Sequence, residues 1–402
     1  MTCMGVMGGL ERITKLDGWL TLAAVCFASV AKLMRYLPIW GILLYLALAG
    51  GSLALAQRKL GSLGTERPRD RQVHQLVIAA LLLLAVLFLI AHPMLEHWAV
   101  GRDGAGSDRD EALEKAARAL VTSGRPYDTA LSTGNPISPM PGELILALPF
   151  VLIGASGLQN IAWLGFYYAA LSATLGSSWL AALGLFGMLL LAPGVAHEIV
   201  TSGDLLATSL SVATGCMWLM LQARRRADGR WMFALSVLFG IMLSSRFVYL
   251  LLVPPVVAAV ARMRGRSTAT TVSAGMAIGF AAVTAPFLLR TSGPFGPSHI
   301  FEKVNLISGI PYASWFIIAL SGIHSTLASW RILQGDTQRI FSQATYVLLT
   351  PVLLTVLLCS FELGTAAIPQ FGFYALWCVP FATLTLAPPN QLTPCARRSA
   401  GA

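Results

Sequence analysis

The stretch HQLVIAALLLLAVLFLIAH, residues 74–92, contains no Asp, Glu, Lys or Arg. A helix that crosses a membrane needs about 20 mostly apolar residues, so this stretch predicts a transmembrane helix. The whole chain has the same character, because 56% of its residues are hydrophobic, 11% are charged and its mean hydropathy is +0.69. Soluble domains contain about 25% charged residues. The composition therefore predicts an integral membrane protein.

Comparable apolar runs, each ended by charge, glycine or proline, predict an all-α, polytopic bundle of about twelve spans. We expect residues 1–402 to form a single integral membrane domain. The predicted spans are residues 18–34, 37–56, 74–92, 158–175, 177–193, 204–222, 231–245, 247–261, 269–289, 312–330, 341–361 and 371–388.

Basic residues cluster between these runs and predict the orientation of the chain, since short loops rich in Lys and Arg stay in the cytoplasm. Both termini are then cytoplasmic, in what we expect to be a bacterial plasma membrane. The net charge of +10 reflects topology, and no nucleic-acid partner is expected. The clusters are residues 58–71, 224–230, 262–266 and 397–398.

One apolar run, residues 143–154, is long enough for only about half a crossing. If it spanned the membrane, the Arg224–Arg226 run would face outward, so we predict a short re-entrant or interfacial helix. The first extracytoplasmic loop then comprises residues 93–142, and a late one comprises residues 289–311.

The first of these loops contains GAGSDRDEALEKAARALVTSGRPYD, residues 104–128, which predicts a juxtamembrane amphipathic helix. Ser107 is a suitable N-cap, Gly124 suits the left-handed position after the helix, and Pro126 prevents continuation. Such a helix can lie on the membrane surface with Asp108 and Asp110 at its N-terminal end. The predicted apolar face comprises Leu113, Ala116, Ala117 and Leu120.

Asp108 and Asp110 are the first candidates for chemistry. Two carboxylates at this spacing could bind a divalent cation between substrate phosphates, or one could be the general base for a hydroxyl. The alternative is that both only complement the helix dipole. No cofactor beyond such a cation is indicated.

Four further candidates for binding a substrate lie in the predicted outer segments. Asn135 lies in a proline-rich stretch that could equally be a connector, and His197 and Asp204 could merely mark helix ends. Arg246 stands between two apolar runs with no acidic neighbour. It is a candidate partner for a carboxylate or phosphate, with a snorkelling interface arginine as the alternative.

The late outer loop supplies two more candidates, Arg290 and His299. Arg290 ends a predicted span on the outer side, against the usual bias. It could contact a phosphate, or it could be a simple cation at a helix C-terminus.

The order of these features resembles the GT-C superfamily of membrane glycosyltransferases, close to its mannosyltransferase-like branch without a soluble C-terminal domain. The resemblance covers most of residues 74–305. It rests on Asp108-Arg109-Asp110, GRPYD, the proline-rich turn before a short apolar helix, GDLLATSL from Gly203, and Ser245-Arg246-Phe247. This chain has Asn135-Pro136 where the family often has Tyr-Pro-Pro, and Arg246-Phe247 where Lys-Pro is common.

The resemblance implies transfer of a hexosyl or pentosyl group, with inversion, from a polyprenyl-phosphate donor to a glycan, lipid or protein hydroxyl on the extracytoplasmic face. Asp108 would be the catalytic base. Arg246, with Arg290 or His299, would stabilise the leaving phosphate. Asp110 and Asp204 would orient sugar hydroxyls or hold a metal.

Two other classes of function remain open. A transporter or lipid flippase would show inverted repeats and spans broken at matching positions, and we find no such match. A structural membrane protein would make the outer charges incidental, which the outward arginine argues against.

Overall fold

The computed structural model describes residues 22–60, 70–100, 109–128, 131–132, 134–290, 296–335 and 339–385, and these residues form helices and links without a strand. The all-helical prediction is confirmed for them. The helices are α1 Leu22–Leu33, α2 Ile39–Leu60, α3 Asp70–Val100, α4 Arg109–Thr122, α5 Pro141–Leu152, α6 Leu158–Leu175, α7 Ser178–Leu191, α8 Pro193–Val200, α9 Asp204–Arg224, α10 Gly229–Leu243, α11 Val253–Arg264, α12 Arg266–Arg290, α13 His299–Ser308, α14 Ala313–Leu333, α15 Ile340–Leu363, α16 Ala367–Phe371 and α17 Val379–Thr385.

Long apolar helices, compatible with an integral membrane protein, are fewer than the sequence predicts. Within the described ranges, six are long and apolar enough to cross a membrane, or seven if α7 and α8, bent by 83°, count as one span. The predicted number of about twelve is not confirmed. One reason is length: α10 has 15 residues, which is about 22 Å at 1.5 Å per residue, short of a hydrocarbon core of about 30 Å.

Helix α9 lies at the centre of the bundle, and 89% of an 18-residue apolar segment of this helix is buried. Its hydroxyl groups need partners there, because an unsatisfied polar group in an apolar interior is costly. Thr208, Ser209 and Ser211 each donate to a carbonyl three or four residues earlier in the same helix. The helix therefore stays buried although it carries several polar side chains.

Helices α10 and α12 pack backbone to backbone through glycines. A Cβ atom on Gly240 would collide with the Met276 carbonyl oxygen, and one on Gly279 would collide with that of Val237. Gly275 and Gly279 form a GxxxG pair, the arrangement that lets membrane helices approach closely. The close approach of the α10 and α12 backbones therefore requires glycine on both helices.

The amphipathic helix predicted in the first loop is α4, and Gly124 after it has a φ of +68° as predicted. The predicted apolar face does not lie on a lipid surface. Leu113, Ala116 and Ala117 are fully buried and pack against α5, with Leu120 partly buried beside them. The reason is that α5, a separate 12-residue helix as expected for residues 143–154, supplies a complementary apolar face.

We predict that Gly240→Ala lowers the thermal stability of the detergent-purified protein, because overpacking costs about 1–3 kcal/mol. Gly322→Ala is the matched control, since nothing lies within 4 Å of its added Cβ. Alanine favours a helix over glycine, so the control should melt at an equal or higher temperature. Equal melting temperatures for both variants would contradict the proposed packing.

Candidate functional site

The site is built on the N-terminus of α9, where two carboxylates meet. Asp204 is the first residue of α9 and Glu198 lies near the end of α8; both are fully buried. Glu198 accepts a hydrogen bond from the backbone N–H of Leu205 at 3.2 Å. A Cβ on Gly203 would collide with the Glu198 carboxylate, so this approach requires glycine. The helix dipole favours both negative charges at this position.

Arg109 joins helix α4 to these two carboxylates. Its Nη2 lies 2.7 Å from Glu198 Oε1, and its Nη1 lies 3.3 Å from Asp204 Oδ1. Arg109 is the first residue of α4, and its side chain is 8% exposed. The start of α4 is therefore fixed to the ends of α8 and α9 by buried, charge-assisted hydrogen bonds.

Arg246 joins the same carboxylate to α5. Its Nη2 binds Asp204 Oδ2 and lies 3.1 Å from Glu143 Oε2, and its Nη1 donates to the Ser138 carbonyl at 3.3 Å. Glu143 reaches this position because α5 begins against the end of α10, where Gly142 N–H donates to the Ser244 carbonyl. We call Arg109, Glu143, Glu198, Asp204 and Arg246 the ion network.

The ion network contains three carboxyl groups and two guanidinium groups. Burial lowers the pKa of Arg109, but the attraction of Glu198 and Asp204 outweighs burial and raises it overall. Burial raises the pKa of Glu143 well above its ordinary value, and Arg246 only partly opposes this. Burial therefore favours the uncharged, protonated form of Glu143.

Three cations, one of them Arg109 of the ion network, lie around a single aromatic ring. The Nζ atom of Lys32 lies 5.0 Å from the ring centroid of Phe373, the Cζ atom of Arg109 lies 5.0 Å from it, and that of Arg35 lies 5.8 Å from it. We call Lys32, Arg35 and Arg109 the cation cluster. Lys32 is 4% exposed, and within the described chain its ammonium has no hydrogen-bond or ion-pair partner.

His197, predicted from sequence as a site residue, lies next to the cation cluster. Its Nε2 is 3.1 Å from the hydroxyl of Tyr36, and the two ring centroids are 5.9 Å apart. Tyr36 follows Arg35 in the chain, so the link after α1 contacts α8 here. Asp204 and Arg246, also predicted, lie in the ion network itself.

The remaining predicted residues are placed only in part. Asp108 lies outside the described residues, and the side chain of Arg290 is not described. Asp110, one residue after Arg109, is half-buried, and Asn135 is exposed. His299 begins α13, which approaches the Arg246 loop through the Phe247 and Phe301 rings, 5.6 Å apart.

A metal site is not evident in the described ranges, where no group of three His, Cys, Asp or Glu side chains could hold a metal ion. The three buried carboxyls are interleaved with guanidinium groups, which take the place of a metal as their counter-charge. The binding of a divalent cation by Asp108 and Asp110 stays a prediction.

Sequence reasoning assigned no role to Glu143, Glu198, Lys32 or Arg35. Two of them carry a signal in the sequence, which is an isolated charge beside apolar residues. Glu143 opens an apolar run and Lys32 falls inside a predicted span, much as Arg246 stands between two predicted spans. No family model matches the chain, and no curated protein or solved structure is significantly similar to it.

We predict that Arg246→Met lowers the free energy of unfolding by about 3 kcal/mol or more, because it removes the ion-pair partner of buried Glu143 and leaves Asp204 with Arg109 alone. Lys115→Met is the matched control. Its ion pair with Glu111 is short, at 2.6 Å, but exposed, so its loss should cost less than about 1 kcal/mol. Thermal or denaturant unfolding in detergent measures both. Similar losses for the two variants would refute the structural role of Arg246.

Proposed function

We propose that this protein is a membrane glycosyltransferase that moves a sugar from a polyprenyl-phosphate donor to an acceptor hydroxyl at the extracytoplasmic membrane surface. The supporting observation is the anchoring of Arg109, the residue directly after Asp108, to Glu198 and Asp204. A general base must be held in place to act on a hydroxyl, and a buried ion network is a rigid support.

In the proposed reaction, Asp108 takes the proton of the acceptor hydroxyl as its oxygen attacks the anomeric carbon. The bond from that carbon to the phosphate oxygen breaks, and the polyprenyl phosphate leaves with the electron pair. The configuration at the anomeric carbon inverts, as expected for a displacement in one step.

Arg246 receives a second role in this proposal. Its guanidinium already binds two carboxylates, so we assign it to positioning Asp204 and Glu143 around the reacting groups. Direct contact of Arg246, Arg290 or His299 with the leaving phosphate stays a prediction.

The anchored α4 also favours an enzyme over the transporter or flippase alternative. A gate must move between two arrangements at modest cost, whereas breaking the bridges of Arg109 would expose buried charges to an apolar surrounding. The structure of the site therefore suits fixed surface chemistry.

We predict that Asp108→Asn abolishes turnover, because asparagine keeps the size of aspartate but cannot accept the proton. The assay incubates detergent-purified protein with radiolabelled polyprenyl-phosphate sugars and follows release of free polyprenyl phosphate. Asp128→Asn, an exposed carboxylate in the same outer segment, is the matched control and should stay active.

A folded and active Asp108→Asn variant would remove Asp108 from the catalytic role. Translocation of a labelled lipid in proteoliposomes, without turnover of any donor and without dependence on Asp108, would replace the transferase proposal by the transporter alternative.

A further inference from the structure

Lys32 is held in a position that ordinarily requires a counter-ion. Its side chain is 96% buried, since 4% of it is exposed, and its ammonium contacts the face of Phe373. A buried charge costs free energy unless it is paired, so an anionic ligand at this ammonium would be favourable.

Glu198 is the carboxylate in the described chain that stabilises the charge of Lys32 electrostatically. Glu198 is already engaged, because it binds Arg109 at 2.7 Å and the Leu205 N–H at 3.2 Å. Arg109 and Arg35 repel Lys32 in turn. Among the described residues, the three cations around Phe373 outnumber the two carboxylates, Glu198 and Asp204, that pair with one of them, Arg109.

Arg35 completes the cation cluster from the exposed side. Its Nε and Nη2 donate to the Pro369 carbonyl at 3.2 and 2.9 Å, which fixes the guanidinium. Its Nη1 has no partner among the residues that the structure describes. A planar guanidinium and a point-charged ammonium around one ring suit a tetrahedral oxyanion with several acceptor oxygens.

The segment that follows Arg35 in the chain exposes apolar side chains. Ile39 and Trp40, a few residues after Arg35, are each 68% exposed, as expected for side chains in contact with lipid. An anion that reaches Lys32 along this surface would carry an apolar chain. A phosphate ester of a lipid alcohol has both properties.

We infer that Lys32, Arg35 and Arg109 around Phe373 form a binding site for the phosphate group of a lipid-linked phosphate ester. This inference deepens the proposed function, and it rests on that function only for the role of the ester as sugar donor. The site itself stands on three cations around one ring, of which the Lys32 ammonium has no hydrogen-bond or ion-pair partner among the described residues.

The test measures binding of ³²P-labelled citronellyl phosphate, a short isoprenoid phosphate ester, to the full-length protein in neutral detergent at fixed ionic strength. We predict that Lys32→Met weakens binding about tenfold or more, because charge-assisted hydrogen bonds are the strong ones. The variant should melt no lower than the wild type, since it removes an unpaired buried charge.

Lys303→Met is the matched control, as Lys303 is an exposed lysine on α13 and should not affect binding. Arg35→Gln is the second test variant; it keeps a donor for Pro369 but loses the charge, and it should weaken binding as well. Citronellol, which lacks the phosphate, should not compete.

Competition by inorganic phosphate distinguishes two sources of the ligand. If inorganic phosphate displaces the labelled ester only at much higher concentrations than unlabelled citronellyl phosphate does, the result supports a lipid-linked ester. If it displaces the labelled ester at similar concentrations, the phosphate site is retained but its assignment to a lipid is overturned. Absence of ester binding by the wild type, or unchanged binding by both Lys32→Met and Arg35→Gln, would overturn the site.

The binding assay contains no sugar, so its failure differs from failure of the proposed transfer reaction. Asp108→Asn should bind citronellyl phosphate like the wild type. Binding that depends on Lys32, without turnover of any sugar donor, would leave this inference standing and refute the proposed function.

Discussion

Buried ion pairs at the N-terminus of α9 hold together segments that are far apart in the sequence. Arg109 connects α4 to Glu198 and Asp204, and Arg246 connects Asp204 to Glu143 on α5. Each guanidinium bridges two carboxyls and both share Asp204, so loss of Arg246 removes the ion-pair partner of Glu143 and leaves Asp204 with Arg109 alone. Helices α4 and α5, the link between α8 and α9 and the turn after α10 are thereby fixed to one another.

This arrangement places unlike chemical groups side by side. The ion network is internally paired and suits a frame, whereas the neighbouring cation cluster contains Lys32, for which the described residues provide no hydrogen-bond or ion-pair partner. Arg109 belongs to both, because its guanidinium binds Glu198 and also lies against Phe373. A ligand bound at the cluster would consequently sit beside the frame that supports the start of α4, which directly follows Asp108 in the chain.

Much of the helical architecture can be predicted from apolar runs, and the C-terminal limit of α4 from Gly124. The number of spans could not be predicted, because helices such as α10 are shorter than the thickness of a membrane. The contact of the apolar face of α4 with α5 also escaped prediction, since amphipathicity does not distinguish a protein surface from a lipid surface. Arg246 could be singled out as an isolated charge, but its partner Glu143 lies 103 residues away in the chain, and no local pattern connects them.

The most direct test of this account is a double-mutant cycle on Arg109 and Glu198, with unfolding free energies measured for Arg109→Met, Glu198→Gln and the double variant. The buried pair predicts strong coupling: each single variant leaves one polar or charged partner unmatched, so the double variant loses clearly less stability than the sum of the single losses. A coupling energy of at least about 1 kcal/mol is expected for a buried, charge-assisted contact. Strictly additive losses would contradict the ion network as the support of the site.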